Sequence, residues 1–340
     1  MTDIRPVIGV TLGDAAGIGP EIVARVAAKG HLQQYGKPVI IADRSVWERG
    51  MRLGGVEVDY KTVDSIADAV KLAGIELVLL DTHTLDAKDV ALGKVSALNG
   101  KDEGDRLVEC IRYCNEGYLE AFCFAPLNKG ALKAGGYDFH SEHELFAHYY
   151  GVDREFGEVN VMNGVWNIRV TSHIPLKDVV AAITVDSIME AVHLGYKTMK
   201  RAGIENPKVA MAAVNPHAGD NGTCGTEEID VLKPAIAQAA KEGIVIEGPF
   251  ASDTLFIRAL NNKEFDGVVT MYHDQGQIAI KLVGFAHTVT VSAGLPHAIT
   301  TPSHGTGYEI VGKNKAITST FEDAYAVACR MAVTDRANRK

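Results

Sequence analysis

The sequence predicts an α/β fold with a central, mostly parallel sheet. Three observations point there. Short apolar runs alternate with amphipathic stretches along nearly all of the 340 residues. No low-complexity segment, linker or internal repeat interrupts that alternation. The length suits two compact lobes or one large α/β unit. In chain order, Val7–Thr11, Pro38–Ala42, Ile75–Leu80, Glu120–Ala125, Ile168–Ser172, Val209–Asn215, Gly267–Tyr272 and Thr288–Ser292 read as strands. Pro20–Lys29, Lys101–Asn115, Ser187–Arg201, Glu227–Lys241 and Thr320–Val333 read as helices between and after them. Pro20 stands in the first turn of its helix, where a missing N–H costs no hydrogen bond. Sheets of this kind bind ligands outside the carboxyl ends of their strands. The chemistry is expected there.

Composition narrows the partners. Lys and Arg total 34 against 43 Asp and Glu, a net charge of −9. A nucleic-acid binder is expected to carry a basic footprint, and this chain has none. An anionic metabolite is still compatible, because a local pocket can be basic inside an acidic protein. The N-terminus lacks a charged-then-apolar signal pattern, and no apolar run reaches membrane-span length. The five cysteines lack zinc-finger or redox spacing, and Cys110 and Cys114 are expected to be reduced packing residues. A cytoplasmic protein with neither nucleic-acid nor membrane partner is the expectation.

Four clusters stand out. Gly13-Asp14-Ala15-Ala16-Gly17-Ile18-Gly19-Pro20-Glu21 lies between the first strand and the first helix. Its glycines let backbone approach a ligand, and the helix start offers N–H groups to an anion. The spacing departs from the dinucleotide fingerprint G-x-G-x-x-G, and an ordinary tight turn accounts for it alone. The second cluster is His173, His217 and His273, each following an expected strand. Imidazoles suit zinc, cobalt, nickel or iron, and three of them leave positions open for substrate. Gaps of 44 and 56 residues are too long for a local metal motif, so packing or capping roles stand beside ligation. Asp274 and Asp253 are candidates to orient the ligands, and Asp253 equally suits a helix cap.

The third cluster runs from Ala125 to Gly130 and leads into His140-Ser141-Glu142-His143-Glu144. Lys129 is placed to meet a phosphate or carboxylate or to move a proton, as is Lys281. Both also suit a solvated surface. The last cluster, Pro302 to Lys313, is a glycine-rich loop suited to cradling the adenosine half of a nucleotide, or simply a loop before a helix.

Taken together, the segments GDAAGIGPEI, APLNKGAL, TSHIPLKD, NPHAGDNG, GTEEID, GPFASDTLF, MYHDQG and SHGTGYEIVGK resemble the 4-hydroxythreonine-4-phosphate dehydrogenase family and its catabolic relatives. They occur in the family's order across nearly the whole chain. HGTGYEIVGK is also similar to the adenosine loop of isocitrate and isopropylmalate dehydrogenases. The resemblance implies an α/β/α fold of two subdomains with the active site in their cleft. Residues 1–135 with 300–340 would form the cofactor side, and 136–299 the metal, substrate and dimerisation side. It further implies a homodimer in which both subunits contribute metal ligands.

By position, the resemblance makes His173, His217 and His273 ligands of one divalent ion such as zinc, cobalt, magnesium or manganese. Asp253 and Asp274 become acidic neighbours of the metal, and Lys281 a substrate-binding lysine. Lys281, Asp274, Asp253 and Lys129 are the catalytic candidates. His304, Gly305 and Thr306 would receive NAD or NADP. Where the family has a His-Thr pair on the substrate, this chain has Glu142 and His143. A later Asn and Arg fall at Thr290 and Ile299. A carboxylate about 4 Å from a substrate phosphate is repelled by roughly 1–4 kcal/mol per charge. The expected activity is metal-dependent, NAD-linked oxidation, with decarboxylation, of a small 4-phosphorylated 3-hydroxy acid of the phosphothreonine, threonate or erythronate type. The altered anchors keep two alternatives: oxidation of a non-phosphorylated dihydrodiol dicarboxylate, and a ligand-binding homologue without turnover.

Overall fold

The computed structural model describes residues 4–339. Twelve strands form: β1 Val7–Thr11, β2 Lys37–Ala42, β3 Lys61–Val63, β4 Val78–Asp81, β5 Ala121–Phe124, β6 Gly157–Met162, β7 Val165–Arg169, β8 Val209–Ala212, β9 Ile246–Phe250, β10 Gly267–Thr270, β11 Thr288–Ala293 and β12 Ala298–Pro302. The chain divides into two compact units. Unit 1 holds the residues through Phe156 together with those from Val289 onward, and unit 2 holds Gly157–Thr288.

In unit 1 the strand order is β3-β4-β2-β1-β5-β12-β11. All neighbours are parallel except β11 and β12. Its central strands are buried on both faces, as parallel strands covered by helices must be. The unit extends further than expected, because residues 136–156 and 289–299 belong to it. Phe146, on the helix Glu142–Tyr150, packs edge-on against Phe122 and Phe124 of β5 at 5.8 and 5.6 Å. Ile299 pairs in register with Phe122. Ring packing and strand pairing therefore hold these segments.

In unit 2 the order is β6-β7-β10-β8-β9. Strands β7, β10, β8 and β9 run parallel, and β6 antiparallel to β7. Met162, Val165, Ala210, Leu255 and Val268 are part of its apolar core. The carboxyl ends of β7, β10 and β8 thus lie side by side, and each leads toward one of the three histidines.

Every expected strand has a counterpart, some shifted by a few residues. The strands β3, β6, β9 and β12 were not anticipated. β3 has only three residues, none of them buried. β9 contains Gly248-Pro249, and proline inside a run argues against a strand except at an edge, which is where β9 lies. The expected helix Glu227–Lys241 begins with a π-type turn, Glu228–Leu232, before the α-helix Lys233–Lys241. No single helix among the described residues is long and apolar enough to cross a membrane.

Candidate functional site

In unit 2 the sheet brings His173 and His273 together, with ring centroids 5.7 Å apart. His273 is the first residue of the helix His273–Gly284, directly beyond β10. Its Nδ1 shares a hydrogen bond with Asp274 Oδ1 at 2.7 Å. A ring held through Nδ1 presents Nε2 outward, which is how a carboxylate fixes a ligating imidazole. Asp274 therefore holds the ring of its chain neighbour.

His217 does not join them. Among the described residues no group of three His, Cys, Asp or Glu side chains gathers closely enough to hold an ion. The resemblance implies ligands from both subunits of a homodimer, and within this chain the sheet brings His173 and His273 together. The turn that carries His217 has an unusual backbone. His217, Ala218, Asp220 and Asn221 all have left-handed φ between 42° and 55°, at a cost of about 1–2 kcal/mol per non-glycine residue. Such strain persists only where the surroundings fix it. Here the fixing group is Glu228, which is buried. Its carboxylate accepts from Val214 N–H at 2.9 Å, Asn215 N–H at 2.7 Å and Asn215 Nδ2 at 3.0 Å. Burial pulls the Glu228 carboxyl up, but these donors outweigh it and hold the pKa below the usual range. The turn is thereby locked with His217 exposed.

Asp253 is exposed on the first turn of the helix Ser252–Phe256. Lys281 is exposed near the far end of the His273–Gly284 helix, about 12 Å along the axis from His273. Around it Ile278, Leu282 and Val283 are also exposed, at 57%, 82% and 57%.

Unit 1 carries the other candidates. Lys129 opens the helix Lys129–Ala134, capped by Asn128. Its Nζ lies 3.5 Å from Glu142 Oε2. His143 Nδ1 bonds Ser292 Oγ at 2.8 Å, and its Nε2 lies 3.8 Å from Glu142 Oε1. Lys129, Glu142, His143 and Ser292 thus form one polar cluster, with His143 and Ser292 buried. Thr290 and Ile299 do not offer a surface. Thr290 is buried in β11 opposite Thr301, and Ile299 is fully buried in the apolar core. The lost arginine position is a core position in this chain, so only the Glu142 half of the expected charge change concerns a polar environment.

The loop after β12 holds His304, Gly305 and Thr306. His304 Nδ1 bonds Gly305 C=O at 3.0 Å and its Nε2 meets Thr320 Oγ1 at 2.9 Å. Burial lowers its pKa, so the ring is neutral near pH 7. With Nδ1 donating to the carbonyl, Nε2 accepts from the threonine hydroxyl.

Sequence reading gives Asp14 no role of its own and does not single out Glu103, and both are buried carboxyls. Asp14 accepts from Ala16 N–H at 2.8 Å, from Asn99 Nδ2 at 3.4 Å and from the Tyr308 hydroxyl. Burial raises its pKa, and those three donors pull it partly back. Glu103 lines a cavity at the ends of β1 and β2 together with Gly13, Asp43 and Arg106. Both of its carboxylate oxygens are buried without a hydrogen-bond partner. Burial first, and the charge of Asp14 second, push its pKa well above 4.5. The signal was present: Glu103 falls at helical spacing with Leu107, Cys110 and Cys114, all core residues.

A proton held more tightly in the folded state makes stability fall as pH rises above the unfolded pKa. For Glu103 that decline starts near 4.5 and continues to its raised folded value. Glu103→Gln keeps the shape and removes the titration. The variant is expected to be more stable than wild type, with a urea-midpoint gap wider at about pH 8 than at about pH 5. Equal pH dependence in both proteins would show Glu103 to be ionised in the fold.

The comparisons with known proteins agree on one family. The family described as pyridoxal phosphate biosynthetic protein PdxA matches residues 34–328. A 4-hydroxythreonine-4-phosphate dehydrogenase from Desulforapulum autotrophicum is 36% identical over 343 aligned positions, covering 100% of this chain and 99% of that protein. A D-threonate 4-phosphate dehydrogenase from Cupriavidus necator is 36% identical, covering 93% of this chain and 94% of that one. The crystal structure of 4-hydroxythreonine-4-phosphate dehydrogenase from Klebsiella pneumoniae superposes with a TM-score of 0.84 at 30% identity, covering 98% of this chain and 99% of its own. The chain belongs to the PdxA family and is an oxidoreductase of the dehydrogenase class.

Proposed function

We propose that this chain catalyses NAD-linked, metal-assisted oxidation of a small hydroxy acid carrying a terminal phosphate, of the 4-phosphooxythreonine or D-threonate 4-phosphate type. The names of its relatives support the substrate class. The observation that carries the chemistry is the pairing of His173 with His273, with Asp274 fixing the second ring. Two imidazoles at strand ends are a donor set that fits a divalent ion such as zinc. A second copy of the chain would supply His217, which stands exposed on its locked turn. The apolar strip of Ile278, Leu282 and Val283 is the kind of surface a symmetric partner covers. When bound, a divalent ion supplies Lewis acidity that lowers the pKa of a substrate hydroxyl. Asp274 holds His273 in the tautomer that can ligate, and Lys129 offers an ammonium to an anionic substrate group.

Cofactor placement rests on the glycines. A Cβ on Gly13 would stand 2.4 Å from Ala125 O, one on Gly17 2.7 Å from Thr306 O, and one on Gly19 2.1 Å from Leu12 O. Packing within the protein therefore explains every glycine of the first turn. Gly305 is different: it is exposed, and an added Cβ would meet nothing within 4 Å. The fold does not need glycine there, whereas a closely approaching ligand does. That supports the adenosine end of NAD lying against His304–Thr306.

The direct assay is NADH formation from D-threonate 4-phosphate and 4-phosphooxy-L-threonine with an added divalent metal. Turnover is expected, with loss on chelation. His173→Ala and His273→Ala are expected to lose bound metal in elemental analysis while staying folded. Full metal occupancy in both variants would refute the metal reading, and turnover restricted to non-phosphorylated acids would refute the substrate class. Glu142 sets a further expectation, because its carboxylate competes with a phosphate for Lys129. Removing one screened charge is worth about 1 kcal/mol, so Glu142→Gln is expected to lower KM for the phosphorylated substrate by roughly fivefold to tenfold. An unchanged or higher KM would place Glu142 away from the phosphate.

A further inference from the structure

Between Pro302 and Ser319 the chain of unit 1 forms neither helix nor strand. The position of His304, Gly305 and Thr306 is therefore set by individual contacts rather than by a regular element. Four hydrogen bonds tie this segment to the stretch Asp14–Arg25. Thr306 C=O accepts from Ile18 N–H at 2.9 Å, and Gly312 N–H donates to Glu21 Oε2 at 2.8 Å. Ala316 C=O accepts from Arg25 Nη1 at 2.8 Å, and the Tyr308 hydroxyl donates to Asp14 Oδ2.

Of these four, the Tyr308 bond is the one that uses a side chain of the loop, and it lies two residues from Thr306. Its acceptor is unusually fixed. Asp14 is fully buried and also holds Ala16 N–H, inside the first turn, and Asn99 Nδ2, on the helix Ala97–Asn115. One carboxylate thus joins three separate segments. Burial and the neighbouring Asp14 raise the Tyr308 pKa, so the hydroxyl keeps its proton as donor.

We infer that Tyr308 and Asp14 form a clasp that fixes the His304–Thr306 loop in the conformation that receives the adenosine end of the cofactor. The inference rests on the proposed placement of NAD at this loop. Both are positioning residues and touch neither cofactor nor substrate. Without the hydroxyl the loop keeps its backbone ties but samples more conformations, and apparent affinity falls with the competent fraction.

The test is fluorescence titration of NADH into the full-length protein, with AMP and reduced nicotinamide mononucleotide as separate probes. Tyr308→Phe and Asp14→Asn are each expected to weaken NADH and AMP binding by about tenfold, the scale of a buried charge-assisted hydrogen bond. Reduced nicotinamide mononucleotide, which lacks the adenosine end, should bind as before. General loosening of the fold would weaken both halves alike. The double variant should lose no more than either single one, because the two groups act as one unit. Gly305→Val tests the placement separately and should abolish NADH binding while the free protein unfolds normally. If Gly305→Val binds NADH like wild type, the cofactor placement falls and the clasp with it. If Gly305→Val loses binding but Tyr308→Phe and Asp14→Asn do not, the clasp alone is overturned. Equal loss of both probe halves also overturns it.

Discussion

At the glycines of the first strand-to-helix turn the backbone runs too close to its neighbours to admit a side chain. A Cβ on Gly19 would stand 2.1 Å from Leu12 O, and one on Gly17 2.7 Å from Thr306 O. That steric constraint organises unit 1. Because the turn fits so tightly, Asp14 is driven into the interior, where its charge needs donors. Ala16, Asn99 and Tyr308 supply them. The loop after β12 is thereby drawn onto the turn, leaving Gly305 facing open space. The glycines nearest the apparent fingerprint serve packing, whereas Gly305 is glycine with neither a close neighbour nor a left-handed φ to require it.

Unit 2 obeys a related rule with charge in place of sterics. Glu228 is buried and satisfied by backbone N–H groups of Val214 and Asn215, and it anchors the left-handed run that follows. The same parallel strands that bring His173 and His273 to one edge therefore end, at β8, in a turn that carries His217 outward. Both units place their polar chemistry beyond strand carboxyl ends, which is what parallel topology dictates.

Much of this was legible in the sequence, and the reasons for the rest are physical. Strand–helix alternation gave the parallel sheet because buried parallel strands are continuous apolar runs, such as Val39–Ile41. It missed β9 because Gly248-Pro249 argues against a strand. The histidines and Asp274 were legible from their contexts and from family resemblance. That His217 stands apart from the pair within one chain was not, since φ values at His217–Asn221 leave no mark in composition. Ile299 falls where the resemblance has a substrate-facing arginine, and only strand register shows it to be core. Asp14 was visible within a glycine cluster, but its partner lies 294 residues away. No local pattern encodes such a contact.

A crystal structure of the protein with NAD and zinc tests the central claim most directly: unit 2 holds the metal and the loop after β12 holds the adenosine. The expected result is zinc bound by His173 and His273, and adenine against Gly305 and Thr306. Zinc bound away from that imidazole pair, or adenine packed on Gly17, would contradict it.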